Sequence, residues 1–318
     1  MIDAEQEAGV AWEQLRIAVV GGDERDPEIA RLAAATGAAV RVFGVPWPAE
    51  GIPGAGLSDD PLGAVTGANY LLLPIPVGVG LEVYAPYAER RITADAQLLG
   101  ALAPGAHVFL GRATPEFREA AEKADVSIHE YDADRELMLL RASAVVEGAI
   151  QLAIENTDIT INGADVVVVG YGNIGSLLAR RLLALGARVK VAARNPIQRA
   201  AASADGAIQH PLEELPSVAP ALQMVFSTVP AQVVGREILE ALPPGSLVLD
   251  IAPPPEHADL ELAAELGHRA VWARGLGRRA PMTVGESQWM GLRRYIEEIE
   301  NERRHGDAPK ASAAQVGR

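Results

Sequence analysis

The run Asp165-Val-Val-Val-Val-Gly-Tyr-Gly-Asn-Ile-Gly175 constrains the fold of this chain more than any other segment. Four consecutive valines make a short, wholly apolar stretch, which suits a parallel strand buried on both faces. It ends in G-x-G-x-x-G, with Gly170, Gly172 and Gly175 as the three glycines. A helical run, Ser176-Leu-Leu-Ala-Arg-Arg-Leu-Leu-Ala-Leu185, follows at once. Gly186 stops it, and a second strand, Arg188-Val-Lys-Val-Ala192, comes next. In such a unit Gly170 permits the tight turn, Gly172 lets a pyrophosphate approach the backbone, and Gly175 lets the helix pack close to the sheet. The helix then offers its unpaired N–H groups and positive dipole end to phosphate. The glycine spacing alone arises easily by chance in a chain with 31 glycines. Strand, glycines, helix and second strand in the required order predict a dinucleotide site contacted by Gly170, Tyr171, Gly172, Asn173, Ile174 and Gly175.

The end of the second strand bears on which dinucleotide is bound. NAD-preferring units place a carboxylate there for the ribose 2′-OH. This chain reads Ala192-Ala193-Arg194-Asn195, with Arg194 lying 19 residues past Gly175. A guanidinium fork matches a 2′-phosphate, which a carboxylate would repel. The residues therefore predict NADP, with Arg194 and Asn195 at its adenosine end. NAD stays open, because Arg194 as a solvated loop cation is the alternative. Thr228, Val229 and Pro230, just past a later strand, are expected to lie against the same cofactor.

With 28 basic and 42 acidic residues the net charge is −14, which disfavours nucleic acid and anionic membranes as partners. There is no cysteine, so disulfides, thiol catalysis and thiolate metal sites are excluded. The six histidines show no metal-ligand spacing, and no metal is expected. The acidic N-terminus lacks a signal-peptide pattern, and no run approaches the ~20 apolar residues of a spanning helix. A cytoplasmic protein, and a homo-oligomer, is the expectation.

A second β-α alternation precedes the glycine motif. Strands are predicted at Arg16-Ile-Ala-Val-Val20, Ala39-Val-Arg-Val-Phe43, Tyr70-Leu-Leu-Leu73 and His107-Val-Phe-Leu110. Helices are predicted around Pro27 and over residues 94–102 and 115–123, and the Pro-, Gly- and Asp-rich stretch 45–67 reads as a loop. A long helical pattern over 134–156 carries Leu137, Leu140, Val145, Ile150 and Leu152. After the motif come strands at 224–227, 246–250 and 269–272. Thr283-Val-Gly-Glu286 matches a capping box. The helix it would open carries Trp289, Leu292, Ile296 and Ile299 on one stripe, with Arg293/Glu297 and Arg294/Glu298 as i,i+4 pairs.

The fold class expected is α/β. Two Rossmann-like, doubly wound parallel-sheet domains are joined by long hinge helices, as in formate/glycerate dehydrogenase-like proteins. The expected division is a flexible arm (1–14), a substrate-side domain (15–133), a linking helix (134–157), an NADP-binding domain (158–282), a C-terminal helix packing back on the first domain (283–304) and a disordered tail (305–318). Substrate is expected between the domains, where the carboxyl ends of both sheets open.

From about Leu15 to Glu300 the chain resembles the A subunit of dipicolinate synthase, which makes pyridine-2,6-dicarboxylate in spore-forming bacteria. Three segments carry the resemblance: Ile17-Ala-Val-Val-Gly-Gly-Asp-Glu-Arg25; Val146-Glu-Gly-Ala-Ile-Gln-Leu-Ala-Ile154 continuing through Asn156-Thr-Asp-Ile-Thr-Ile-Asn-Gly163; and Leu185-Gly-Ala-Arg-Val-Lys-Val-Ala-Ala-Arg194. There are departures. Arg141-Ala-Ser-Ala-Val145 stands where the family has Asn-Ser-Ile-Pro-Thr, Pro253-Pro-Pro-Glu-His257 where it has Ser-Arg-Pro-Gly-Gly, and Pro281-Met-Thr-Val-Gly285 where it has Pro-Lys-Thr-Ala-Gly. Two cations are thereby lost, which Arg278, Arg279 or Arg141 would replace. The chain is then a divergent member of that synthase family or a paralogue with another substrate.

The resemblance implies oxidation of a dihydrodipicolinate-type cyclic dicarboxylate to dipicolinate during sporulation, with the flavoprotein-like B subunit of dipicolinate synthase as partner. Aromatisation drives such a reaction, so orientation matters more than a strong base. Two carboxylates call for arginine forks. Arg278 and Arg279, on a glycine-flanked loop, are the leading clamp, and Arg141 and Ser143 are further substrate contacts. Glu147 and His257 are the candidate catalytic groups, each with an ordinary structural role as its rival. A dehydrogenase for a 2-hydroxy or amino acid, and a non-catalytic nucleotide-binding protein, are the alternative functions.

Overall fold

The computed structural model describes residues 9–75, 78–132, 134–252 and 258–306. In chain order its elements are β1 (Arg16–Val20), α1 (Asp26–Ala34), β2 (Ala39–Phe43), β3 (Ala55–Leu57), α2 (Pro61–Val65), β4 (Tyr70–Leu72), β5 (Glu82–Val83), β6 (Ile92–Thr93), α3 (Ala96–Leu99), β7 (His107–Leu110), α4 (Pro115–Lys123), β8 (Ser127–Glu130) and α5 (Arg135–Glu155). There follow β9 (Asp165–Val169), α6 (Asn173–Ala184), β10 (Arg188–Ala192), α7 (Pro196–Ala204), β11 (Ile208–His210), α8 (Leu215–Val218), β12 (Met224–Ser227), α9 (Arg236–Ala241), β13 (Leu247–Asp250), α10 (Leu260–Glu265), β14 (Arg269–Trp272) and α11 (Pro281–His305). The chain divides into two compact units, Met1–Met138 with Ala280–Arg318, and Leu139–Arg279. The start of the expected arm (1–8) and all but the first two residues of the expected tail lie outside the described residues.

Each unit is built on a six-stranded parallel sheet. The strand order is β3-β2-β1-β4-β7-β8 in the first unit and β11-β10-β9-β12-β13-β14 in the second. Counted within its own sheet, each is the 3-2-1-4-5-6 order of a doubly wound nucleotide-binding fold. The order reverses between β1 and β4, and between β9 and β12. Burial explains the strand sequences: Val166, Val167, Val168 and Val169 are all fully buried, as both faces of a covered parallel strand require.

The stretch 45–67, expected as a loop, contains β3 and α2. Asp60 caps α2 by accepting a 2.6 Å bond from the Gly63 N–H, and Pro61 supplies a preset first turn. β8 was not foreseen. It is an edge strand whose Ser127 and Glu130 are exposed, so it lacks an apolar signature. The capping-box reading of Thr283 and Glu286 is corrected: α11 starts at Pro281, and no side chain caps it. Proline at the first helical position needs no N–H partner, so the helix begins three residues earlier than a Thr283 cap would place it. α5 also departs from expectation. Its large Leu140 is exposed, while Ala142, Val146, Ala149 and Ala153 are buried. α5 is long and apolar enough to cross a membrane, although no such run was expected, and part of it is buried inside the protein, as in a core helix.

In the first unit α11 lies along α1. Gly285 permits this approach, since a Cβ there would come within 2.7 Å of the Arg25 carbonyl oxygen. Trp289, Leu292, Ile296 and Ile299 form the buried stripe as expected. Trp12, in the segment expected to be a loose arm, is buried with its ring centroid 6.0 Å from that of Trp289. Arg293 pairs with Glu297 at 2.8 Å, as expected. Arg294 does not chiefly serve Glu298, at 4.0 Å. It binds Asp134 at 2.6 Å and also Glu136, because the buried Asp134 carboxylate needs a cation more than an exposed one does. Burial pushes Asp134 up, but the Leu137 N–H, the Tyr295 hydroxyl and Arg294 hold it below the usual carboxylate range.

The first β-α turn of this unit holds a buried charge cluster. Arg25 donates to both oxygens of Asp23, at 2.7 and 2.8 Å, and the Asp23 N–H donates to Asp26 Oδ2 at 2.8 Å. Arg25 balances one carboxylate only, and burial pushes Asp26 up to about 7. A carboxyl whose folded value lies above its unfolded value contributes stability that is full below about pH 4 and lost as pH rises through about 7. Asp26→Asn keeps the acceptor and removes the titration. Its stability relative to the parent, followed by urea unfolding, is expected to rise between pH 4 and 7 by a few kcal/mol and then level off. A constant difference across that range would refute the assignment.

Candidate functional site

The carboxyl end of the second sheet holds the glycine loop. Gly170 follows β9 with φ +96°, and its N–H donates to the Ala192 carbonyl oxygen at 2.9 Å. A Cβ on Gly170 would lie 2.6 Å from Val229 Cγ1, and one on Gly175 would lie 2.3 Å from the Gly170 carbonyl oxygen. The protein's own packing thus demands both glycines. Gly172 is different: it is exposed, and a Cβ there would meet nothing within 4 Å. It is also the N-cap of the 12-residue α6, with no side chain bonded to the helix end. Internal packing leaves the glycine at 172 unexplained, whereas the approach of a ligand's phosphates to the backbone explains it.

The neighbouring segments are arranged around this cradle. Thr228 donates through both its N–H and its hydroxyl to the Val169 carbonyl oxygen, at 3.0 and 2.9 Å, which seats the Thr228–Val229–Pro230 turn against the glycine loop. Asn173 and Ile174, half-buried, form the first turn of α6. Tyr171 turns inward, its hydroxyl 2.5 Å from Asp205, which Arg180 also pairs at 3.0 Å. Burial and then the Asp205 carboxylate push Tyr171 up to about 12, so it stays protonated. Arg194 is exposed just past β10, and no ion pair engages its guanidinium among the described residues. Asn195 caps α7 by accepting from the Ile197 N–H at 2.8 Å. Arg199 donates to the Ala193 and Arg194 carbonyl oxygens at 2.9 and 2.7 Å, shaping the loop that presents Arg194.

The corresponding turn of the first unit is filled. Asp26, the first residue of α1, puts its own carboxylate at the helix N-terminus, and a Cβ on Gly22 would lie 2.1 Å from Asp26 Oδ2. Among the described residues neither helix end has a side-chain cap bond, but a buried carboxylate stands at the first and none stands at the second.

The substrate candidates fall on two elements of the second unit. Arg141, Ser143 and Glu147 lie on α5, Arg141 and Ser143 half-buried and Glu147 exposed. Arg278 and Arg279 lie in a 3-10 turn after β14 and are not buried. Glu147 and Arg279 form an ion pair, so this clamp arginine and this catalytic candidate satisfy one another. His257 lies outside the described residues. Two residues not singled out from sequence stand near Arg278 in the chain: Trp272 ends β14, and the Arg274 guanidinium sits 4.3 Å above its ring. The legible signal was three arginines within six residues after a strand end.

Comparison with known proteins gives these features a context. Residues 16–131 match the family model for the N-terminal domain of the dipicolinate synthase A subunit. Residues 142–271 match the model for the NAD binding domain of S-adenosyl-L-homocysteine hydrolase. The dipicolinate synthase A subunit of Bacillus subtilis (strain 168) is 28% identical over 293 residues, covering 91% of this chain and 98% of that one. The chain is similar to the dipicolinate synthase A subunit over nearly its whole length. Solved structures agree. The dipicolinate synthase A chain from Bacillus subtilis matches with a TM-score of 0.80 at 28% identity, over 91% of this chain and 97% of that one. The A subunit of the Bacillus halodurans enzyme matches with a TM-score of 0.81 at 25% identity, over 89% and 97%. A transhydrogenase from Sinorhizobium meliloti, at 17% identity and a TM-score of 0.64 over 89% and 94%, shares the fold. The chain therefore combines a nicotinamide-dinucleotide type of binding fold with a dipicolinate synthase type of N-terminal unit.

The glycines separate packing from binding. Gly172→Ala is expected to leave the folding free energy within about 1 kcal/mol and to weaken binding of a nicotinamide dinucleotide about tenfold or more, a loss of about 1.4 kcal/mol. Gly175→Ala, forced against the Gly170 carbonyl, is expected to cost about 1–3 kcal/mol of stability. Thermal unfolding and calorimetric titration of both variants distinguish the two roles. Equal stability losses would remove the argument for ligand approach at Gly172.

Proposed function

We propose that the chain is an NADP-dependent oxidoreductase that converts a dihydrodipicolinate-type cyclic dicarboxylate to dipicolinate. The observation that carries the reading is the bare, sterically open helix end at Gly172, with Arg194 exposed past the next strand and engaged in no ion pair among the described residues. The relatives supply the substrate class. A cytoplasmic, sporulation-linked role beside the B subunit of the synthase follows from the same relatives, and the chain is proposed to self-associate.

The residues fit the dinucleotide. The N–H groups at the start of α6 would hold the pyrophosphate, Arg194 the 2′-phosphate, and the Thr228 turn the nicotinamide side. NADP, when bound, supplies a hydride acceptor, and a proton leaves as the ring becomes aromatic. The protein's own work is grip and orientation. Arginines after β14 bind the carboxylates, while Arg279 is held by Glu147 in an ion pair. Solvent or a nearby carboxylate suffices as proton acceptor, because aromatisation supplies the driving force.

Two measurements test this. Arg194→Asp is expected to reverse the cofactor preference, raising the KM for NADP by about tenfold to a hundredfold relative to that for NAD, the equivalent of a lost charge-assisted contact of about 1.5–3 kcal/mol. An unchanged ratio would withdraw the NADP assignment. Purified protein given NADP and enzymatically generated 4-hydroxy-tetrahydrodipicolinate, which loses water to give the dihydro compound, should develop dipicolinate absorbance. Cofactor binding without turnover, whether the chain is alone or with the B subunit, would instead favour a non-catalytic role.

A further inference from the structure

We infer that Arg274 and Arg278, with the indole of Trp272, form the dicarboxylate grip, and that Arg279 is not one of its two forks. The inference rests on the oxidoreductase reading above and adds to it the residues that set ligand specificity.

β14 ends at Trp272, opposite Asp250 of β13, at the same end of the sheet as the glycine loop. In a doubly wound fold one half of the sheet takes each mononucleotide. The glycine loop and Arg194 belong to the β9-β10-β11 half. The nicotinamide side is then the β12-β13-β14 half, and Trp272 stands at its outer edge.

The backbone gathers the arginines there. The Arg274 N–H donates to the Trp272 carbonyl oxygen at 3.1 Å, a three-residue turn that folds Arg274 back over the ring it has just passed. Its guanidinium carbon lies 4.3 Å from the indole centroid, a cation–π contact that orients the fork and leaves its N–H groups for a carboxylate. Gly275 follows with φ +66°, and the Arg278 side chain lies across it: a Cβ on Gly275 would sit 3.1 Å from Arg278 Nε. One guanidinium thus lies over the Trp272 ring and the other across Gly275, four residues apart in the chain. No carboxylate lies within ion-pair distance of either among the described residues, whereas Arg279 is committed to Glu147. In a chain of net charge −14, two such cations on one short segment, neither in an ion pair among the described residues, are an arrangement that a dianion would stabilise. Trp272 is 40% exposed and offers a flat apolar surface for a planar ring. Two forks and one ring surface match an aromatic or near-aromatic dicarboxylate.

The test uses the full chain saturated with NADPH and titrated in a calorimeter with pyridine-2,6-dicarboxylate or, separately, pyridine-2-carboxylate. The parent protein is expected to prefer the dicarboxylate by about tenfold or more, the gain of one charge-assisted contact. Arg274→Gln and Arg278→Gln should each remove most of that preference, while Trp272→Leu should weaken both ligands alike. NADPH affinity should be the same in all three variants, which also shows that they are folded. Unchanged dicarboxylate affinity in both arginine variants, no dicarboxylate binding by the NADPH-loaded parent, or loss of preference in Arg279→Gln alone would overturn the grip. Failure of the parent to bind NADPH would instead bring down the oxidoreductase reading, and the grip with it.

Discussion

The approach of α6 to the end of β9 is the contact on which the second unit's chemistry depends. Gly175 stands so near the Gly170 carbonyl that any side chain would separate helix from strand. Closing that gap aims the helix N-terminus at the space beside Gly172 and brings the Thr228 turn over the loop. Backbone N–H groups held in this way need no rearrangement to meet a phosphate, and this is why a few glycines achieve what a charged side chain would do less selectively.

The two units show how one strand order is put to different uses. Both sheets reverse at their first strand, and both place a helix N-terminus at that reversal. In the first unit Asp26 occupies the position with its own carboxyl group, buried and pushed up to about 7, with Asp23 and Arg25 locked beside it. In the second no side chain of the described residues does so. An internal carboxylate and an external phosphate compete for the same dipole end, and the first removes any need for the second.

Charge is allocated with similar economy. Several arginines of this acidic chain are committed to carboxylates: Arg25 to Asp23, Arg188 to Asp165, Arg279 to Glu147 and Arg294 to Asp134. Arg194, Arg274 and Arg278 have no such ion pair among the described residues, and all three lie near the carboxyl end of the second sheet. Under the proposed function anionic ligands are drawn in locally against the overall field, and these three would do it.

Much of this could be read from the chain alone. The valine run, the glycine spacing and the strand-helix alternation determined both parallel sheets, since burial on two faces and the loss of Cβ atoms at a tight turn leave a direct mark on residue type. The Val146–Gly163 run and the Gly-Gly-Asp start marked the relatives. Edge strand β8, helix α2 and the true start of α11 escaped, because exposed edges and proline-led turns carry no apolar periodicity. Pairing was also invisible: nothing in the order of residues says that Glu147 meets Arg279, or that Arg294 prefers Asp134. Those choices depend on through-space distance and burial between residues more than a hundred positions apart, which only the folded chain decides.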